Sequence, residues 1–142
     1  MAESTHTLCT IELPAALQSL PGFVAEINRC AREAGFSEHK LGAMELALEE
    51  AIVNIVKYSS ASSDSVISIA CTTDARGGFY ITITDSGPPF DPLRKAAPDT
   101  DAGIDDRPIG GLGIFLIKEM TDGVTYAREG GKNILTIKMK KQ

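Results

Sequence analysis

Leu41-Gly42-Ala43-Met44-Glu45-Leu46-Ala47-Leu48-Glu49-Glu50-Ala51-Ile52-Val53-Asn54-Ile55 is the stretch from which the fold is read. Leu41, Met44, Leu48, Ile52 and Ile55 recur at steps of three or four, the spacing of one helical face. That apolar stripe needs a sheet to cover it. Each residue turns the helix by roughly 100 degrees, so Glu50 and Asn54, four apart, lie close together on one flank, with Ala47 below them. Glu49 points roughly a right angle or more away, toward the other shoulder. Taken alone, an acid and an amide are also what a solvated helix face carries. Asn is a poor helix former, however, because its side chain competes for backbone groups. Its place between Val53 and Ile55 favours a role. An amide oxygen is a hard ligand suited to Mg²⁺, and a carboxylate beside it can take a proton from an attacking hydroxyl.

Outward from this helix, Ser37 reads as its N-cap, with Lys40 at the third helical position, and the helix runs to about Tyr58. Before it, Leu17, Leu20, Val24, Ile27, Ala31 and Ala34 mark an amphipathic helix stopped near Gly35. Residues 7–13 alternate imperfectly as a strand ending at Pro14. After the polar break at 59–63, Val66, Ile67 and Ile69 sit in one strand. Phe79, Ile81 and Ile83 alternate with Tyr80, Thr82 and Thr84 in the next, across an Arg76-Gly77-Gly78 hairpin turn. Residues 87–108 form a long connection holding five of the seven prolines, the signature of a functional lid. A helix from about Gly111 to Thr121 and two strands, 124–128 and 133–140, complete the order. Strand, two helices, two strands, lid, helix, two strands predicts an α+β two-layer sandwich with helices on one face of a mixed sheet.

Two further segments carry chemistry. Asp85-Ser86-Gly87-Pro88-Pro89-Phe90-Asp91-Pro92 follows a strand. A carboxylate at a strand end can accept from the exocyclic amine of adenine, Gly87 lets the backbone approach a flat ring, and the prolines stiffen the chain. An ordinary Asp-Ser-Gly-Pro turn has the same letters. Gly110-Gly111-Leu112-Gly113 opens a helix, where free N–H groups and the helix dipole favour phosphate. It is neither a Walker loop nor a Rossmann fingerprint, since no Gly-Lys-Ser/Thr follows and no strand precedes it.

In combination, the three segments resemble the Bergerat, or GHKL, ATP-binding fold shared by sensor histidine kinases, gyrase and MutL. Glu50 and Asn54 match its N box, and Asp85-x-Gly87 and Gly110-x-x-Gly113 its two glycine boxes. The Pro89-Phe90-Asp91-Pro92 extension and Gly111-Leu112-Gly113-Ile114 are similar to the small anti-sigma factor serine kinases of the RsbW and SpoIIAB type. The resemblance covers nearly the whole chain and implies one histidine kinase-like ATPase domain over 1–142. It implies ATP and Mg²⁺ as cofactors, Glu50 as general base and Asn54 as metal ligand. Asp85 would read adenine with Gly87 packing beside it. Gly111, Leu112 and Gly113 would contact the phosphates with the lid, and Thr136 would close the adenine pocket. It further implies a homodimeric, cytoplasmic serine/threonine kinase. That kinase would bind a sigma factor and phosphorylate a STAS-domain anti-anti-sigma antagonist. The rival is a non-catalytic, ATP-gated binding switch. Many members carry His four residues after the N-box Asn; Tyr58 stands there instead.

Composition agrees with this class. The 142 residues suit one domain with a single core, and 43% hydrophobic and 23% charged residues are ordinary for a globular protein. A net charge of −5 speaks against nucleic-acid binding. No apolar run is long enough for a bilayer, and Met1 to His6 shows no secretory pattern. Cys9, Cys30 and Cys71, odd in number and without close metal-type spacing, read as packing thiols in a reducing compartment. His6 and His39 read as surface residues. Arg94, Lys95 and Arg107 are the lid cations that could face a γ-phosphate.

Overall fold

Period-two alternation buries one face of each inner strand and leaves the other polar. In β2 (Val66–Asp74) the inward residues are Ile67, Ile69 and Cys71; in β3 (Phe79–Asp85) they are Phe79, Ile81, Ile83 and Asp85. In β5 (Lys132–Met139) they are Asn133, Leu135, Ile137 and Met139. β1 (Thr5–Pro14) and β4 (Gly123–Glu129) form the edges. This computed structural model describes residues 5–58, 65–94 and 111–141.

The sheet order is β1-β2-β3-β5-β4, and every neighbouring pair is antiparallel. The α+β sandwich is as expected, but the mixed sheet is not. A helix joining two strands normally makes them parallel neighbours. Here β3 and the strand after the third helix do run parallel, yet β5 folds back between them. It can do so because Gly130 and Gly131, at φ +57 and +76, close a two-residue hairpin of the type whose twist matches its strands.

Three helices cover the inward face and share one core with it. α1 (Leu20–Glu33) buries Phe23, Ile27, Cys30 and Ala31. Its buried stripe is therefore rotated from the one expected through Leu17 and Leu20. Leu17 falls in a short 3-10 turn before the helix and is 55% exposed. Gly35, at φ +98, ends the helix. α2 (Glu38–Tyr58) follows its sequence pattern: Ser37 Oγ accepts from the Lys40 N–H at 3.2 Å, and Leu41, Met44, Leu48, Ile52 and Ile55 are all buried. α3 (Gly111–Met120) begins at the glycine cluster and sends Ile117 into the core. None of the helices described is long and apolar enough to cross a membrane. Burial pushes the Cys30 thiol up to about 12 and the Cys71 thiol further, so both are protonated at neutral pH.

Candidate nucleotide site

Antiparallel register makes Asp85, the last residue of β3, the partner of Asn133 near the start of β5. Both side chains point to the helical face, and the Asn133 Nδ2–H donates to Asp85 Oδ1 at 3.1 Å. Asp85 Oδ1 also accepts the Gly87 N–H at 2.9 Å, which bends the chain sharply after the strand. Asn133 then holds the residues just beyond the bend. It donates to the Pro88 carbonyl at 2.9 Å, and its Oδ1 accepts from the Phe90 N–H at 3.1 Å and from the Tyr126 hydroxyl. Arg128 adds a bond to the Gly87 carbonyl at 2.8 Å. The 85–90 turn is thus clamped from β4 and β5.

Asn54 approaches from α2. Its Nδ2–H donates to the Glu50 main-chain carbonyl at 2.8 Å, which fixes the amide, while its Oδ1 is a buried side-chain acceptor with no partner among the described residues. A buried acceptor left unmade costs about 1–3 kcal/mol, so such a group calls for an explanation. An incoming hard cation is one that fits: an amide oxygen whose own Nδ2–H is bonded elsewhere is a ligand type Mg²⁺ accepts. Four polar residues are buried among those described, and three of them, Asn54, Asp85 and Asn133, line a single pocket. Ala51, Ile55, Ile83 and Leu135 make its apolar walls, and Phe90, Pro92 and Tyr126 its rim. Apolar walls with a few convergent polar groups are the lining chemistry of a small-molecule site.

The two acids on α2 separate as helical phase predicts. Asn28 of α1 lies 3.5 Å from Glu45, one turn before Glu49, so that shoulder faces α1. Burial, together with the like charges of Glu45 and Glu50, pushes the Glu49 carboxyl above its usual range. Glu50 is half-buried on the flank it shares with Asn54.

One residue stands elsewhere than expected. Thr136 is a correction: it lies between buried Leu135 and Ile137, so the pleat turns it to the opposite face, where it pairs with Thr82 and Thr125. Asn133 occupies the place expected for it. The signal was present in the sequence, since 133 shares parity with the apolar positions 135, 137 and 139 and 136 does not. Tyr58, at the position where many family members carry histidine, stacks on Phe90 with ring centroids 5.3 Å apart and planes at 24°. It ties the end of α2 to the clamped turn. Gly111 and Gly113 lie in the first turn of α3. Of the connection over 87–108 expected as a lid, residues 95–108, with Lys95 and Arg107, lie outside the described residues, as do Gly110 and the side chains of Arg94 and Leu112.

This clamp makes two predictions. Asn133→Ala orphans groups on three segments and should lower stability by about 2–4 kcal/mol, read as a lower urea midpoint with unchanged slope. Tyr58→Phe keeps the ring and should preserve the coupling to Phe90. Tyr58→Ala should lose about 0.5–1.5 kcal/mol of coupling to Phe90 in a double-mutant cycle on stability.

Residues 13–139 match the model of the histidine kinase-like ATPase domain. The chain belongs to that family. The resemblance to its RsbW branch also holds across the chain. Among curated members, the serine-protein kinase RsbW of Staphylococcus epidermidis is 29% identical over 141 residues, 96% of this chain and 89% of that one. The RsbW of Listeria monocytogenes is 29% identical over 137 residues, 92% and 87% of the two chains. Among solved structures, the RsbU and RsbW domains of a Mycobacterium tuberculosis protein superpose with a TM-score of 0.64 at 12% identity. That match covers 93% of this chain and 32% of the solved one. The SiaB–SiaC complex of Pseudomonas aeruginosa gives 0.59 at 11% identity, covering 94% and 89%. These two likenesses show the histidine kinase-like fold, which the clamped turn and the α2 flank serve.

Proposed function

We propose that this protein is an ATP-dependent protein serine/threonine kinase of the RsbW type, working in the cytoplasm within a single domain over 1–142. The observation that carries this reading is a pocket lined by the buried Asp85 and Asn54, on the flank of α2 that also carries Glu50, with Asn54 Oδ1 lacking a partner among the described residues. Asp85 accepts from the adenine amine, and Gly87, held against it, gives the ring a close backbone neighbour. Asn133 keeps Asp85 in place. The apolar walls exclude water from the ring faces.

Asn54 Oδ1 would hold Mg²⁺, which when bound supplies charge neutralisation at the phosphates. Glu50 accepts the proton of the attacking serine or threonine hydroxyl as the oxygen bonds to the γ-phosphorus and the bond to ADP breaks. Gly111 and Gly113 offer main-chain N–H groups to the phosphates at the start of α3, with Leu112 between them. Much of the rate then comes from positioning and fixed charge. The acceptor is a STAS-domain anti-anti-sigma protein, the second partner a sigma factor, and the working unit a homodimer; these three assignments extend the resemblance to the serine-protein kinases RsbW.

The test is phosphotransfer from radiolabelled ATP, with Mg²⁺, to the STAS protein encoded beside this one, read as phosphoserine or phosphothreonine on that protein. Transfer is the expected result. Nucleotide binding without transfer overturns the kinase reading in favour of a binding switch, and absence of nucleotide binding overturns the site.

A further inference from the structure

Cys9, Cys30 and Cys71 are far apart in sequence, yet their sulfur atoms all lie within 4.8 Å of one another. They come from three elements. Cys9 is on β1, Cys71 stands directly across from it on β2, and Cys30 comes down from α1. The pairing of Cys9 with Cys71 depends on an irregularity. Thr7 is opposite Thr72, so a regular ladder would set Cys9 opposite Ala70, on the outward side. A bulge at Leu8 shifts the register by one and brings Cys9 opposite Cys71. Cys30 and Cys71 are 3% and 0% exposed, whereas Cys9 is half-buried and gives a way in. None of the three lines the nucleotide pocket.

Three convergent sulfurs with no fourth His, Asp or Glu in the group, among the described residues, select the occupant. Structural zinc takes four ligands. A soft three-coordinate ion such as Cu(I) fits the sulfur set. Three thiolates around a monovalent or divalent ion, however, leave net negative charge in an apolar core, which is costly. A trivalent element carries three thiolates with no net charge. We propose that Cys9, Cys30 and Cys71 form a three-sulfur site for a trivalent, thiophilic element of the arsenite and antimonite class.

The step balances without an oxidant. Neutral arsenous acid, As(OH)₃, condenses with three protonated thiols; three As–S bonds form, three As–O bonds break, and three waters leave. Arsenic stays trivalent, and no net proton is released. Buried thiols that resist ionisation therefore do not oppose the reaction.

The test titrates the fully reduced, full-length protein with sodium arsenite in buffer free of small thiols. Intact-mass spectrometry and a count of reactive thiols follow the reaction. The expected product gains one arsenic less three hydrogens per chain, loses all three reactive thiols and melts at higher temperature. Cys9→Ser alters the least buried member and so preserves the fold. It should weaken binding about 100-fold or more, because only two intramolecular As–S bonds can then form. Cys30→Ala should do the same, with a melting curve to verify that it folds. An adduct retaining a free thiol, equal binding by Cys9→Ser, or no adduct overturns the proposal. Tight one-to-one Cu(I) binding with no arsenite adduct overturns it too, since it removes the charge argument.

Discussion

Glu50→Gln is expected to slow phosphotransfer by about 10²–10⁴-fold, the usual worth of a positioned general base. That corresponds to about 3–5 kcal/mol of barrier. Gln has the size of Glu but cannot take the hydroxyl proton. The substitution is unusually clean here, because Asn54 is anchored by the main-chain carbonyl of residue 50, not by its side chain. The amide at 54 therefore keeps its place, and nucleotide affinity should stay within a few-fold of the parent. Single-turnover transfer and equilibrium binding of a fluorescent ATP analogue, measured side by side, separate the two quantities. Glu49→Gln is the control. Its carboxyl sits on the α1 shoulder, crowded by Glu45 and Glu50, so neutralising it should leave transfer nearly unchanged. Loss of transfer in Glu49→Gln with retention in Glu50→Gln would reverse the assignment of the base.

Asp85→Asn is expected to weaken ATP binding about 100-fold, the effect of losing a charge-assisted hydrogen bond worth about 2–3 kcal/mol. A carboxylate only accepts, whereas an amide sets a donor where one of the two oxygens stood. The amide oxygen can still accept from Gly87 and Asn133, as Asp85 Oδ1 does, so the two bonds that hold the turn should survive. Isothermal titration with ATP, together with a thermal melt, checks both halves. ATP affinity equal to that of the parent would remove Asp85 from adenine recognition. A collapse of the fold would show that its structural bonds dominate.

Much of this site is legible from residue order. Helical phase on α2 places Glu50 beside Asn54 and turns Glu49 away, because a helix sets angular relations within a few residues. The strand reading of 79–84 puts Asp85 at a strand end for the same local reason. Residue order misses Asn133, and the family resemblance implies Thr136 in its place, because that choice needs the face of β5 and not merely its existence. The face is encoded in the parity of Leu135, Ile137 and Met139, but its value to Asp85 emerges only when β5 lies against β3 in register. The α1 stripe is misphased at its start, where Leu17 belongs to a separate turn.

The division follows the range of the interactions. Sequence by itself determined the elements, the apolar faces of α2 and the inner strands, and the acid and amide on α2, because these rest on periodicity, turn chemistry and capping within a few residues. It also carried the family, through short motifs whose order is linear. Tertiary structure alone decided that β5 inserts between β3 and β4, making the sheet antiparallel throughout. It alone decided that Asn133 clamps the turn after Asp85, that Tyr58 stacks on Phe90, and that Cys9, Cys30 and Cys71 meet. Each of these pairs residues far apart in the chain, and their meeting depends on register and packing, where a shift of one position turns a side chain to the other face.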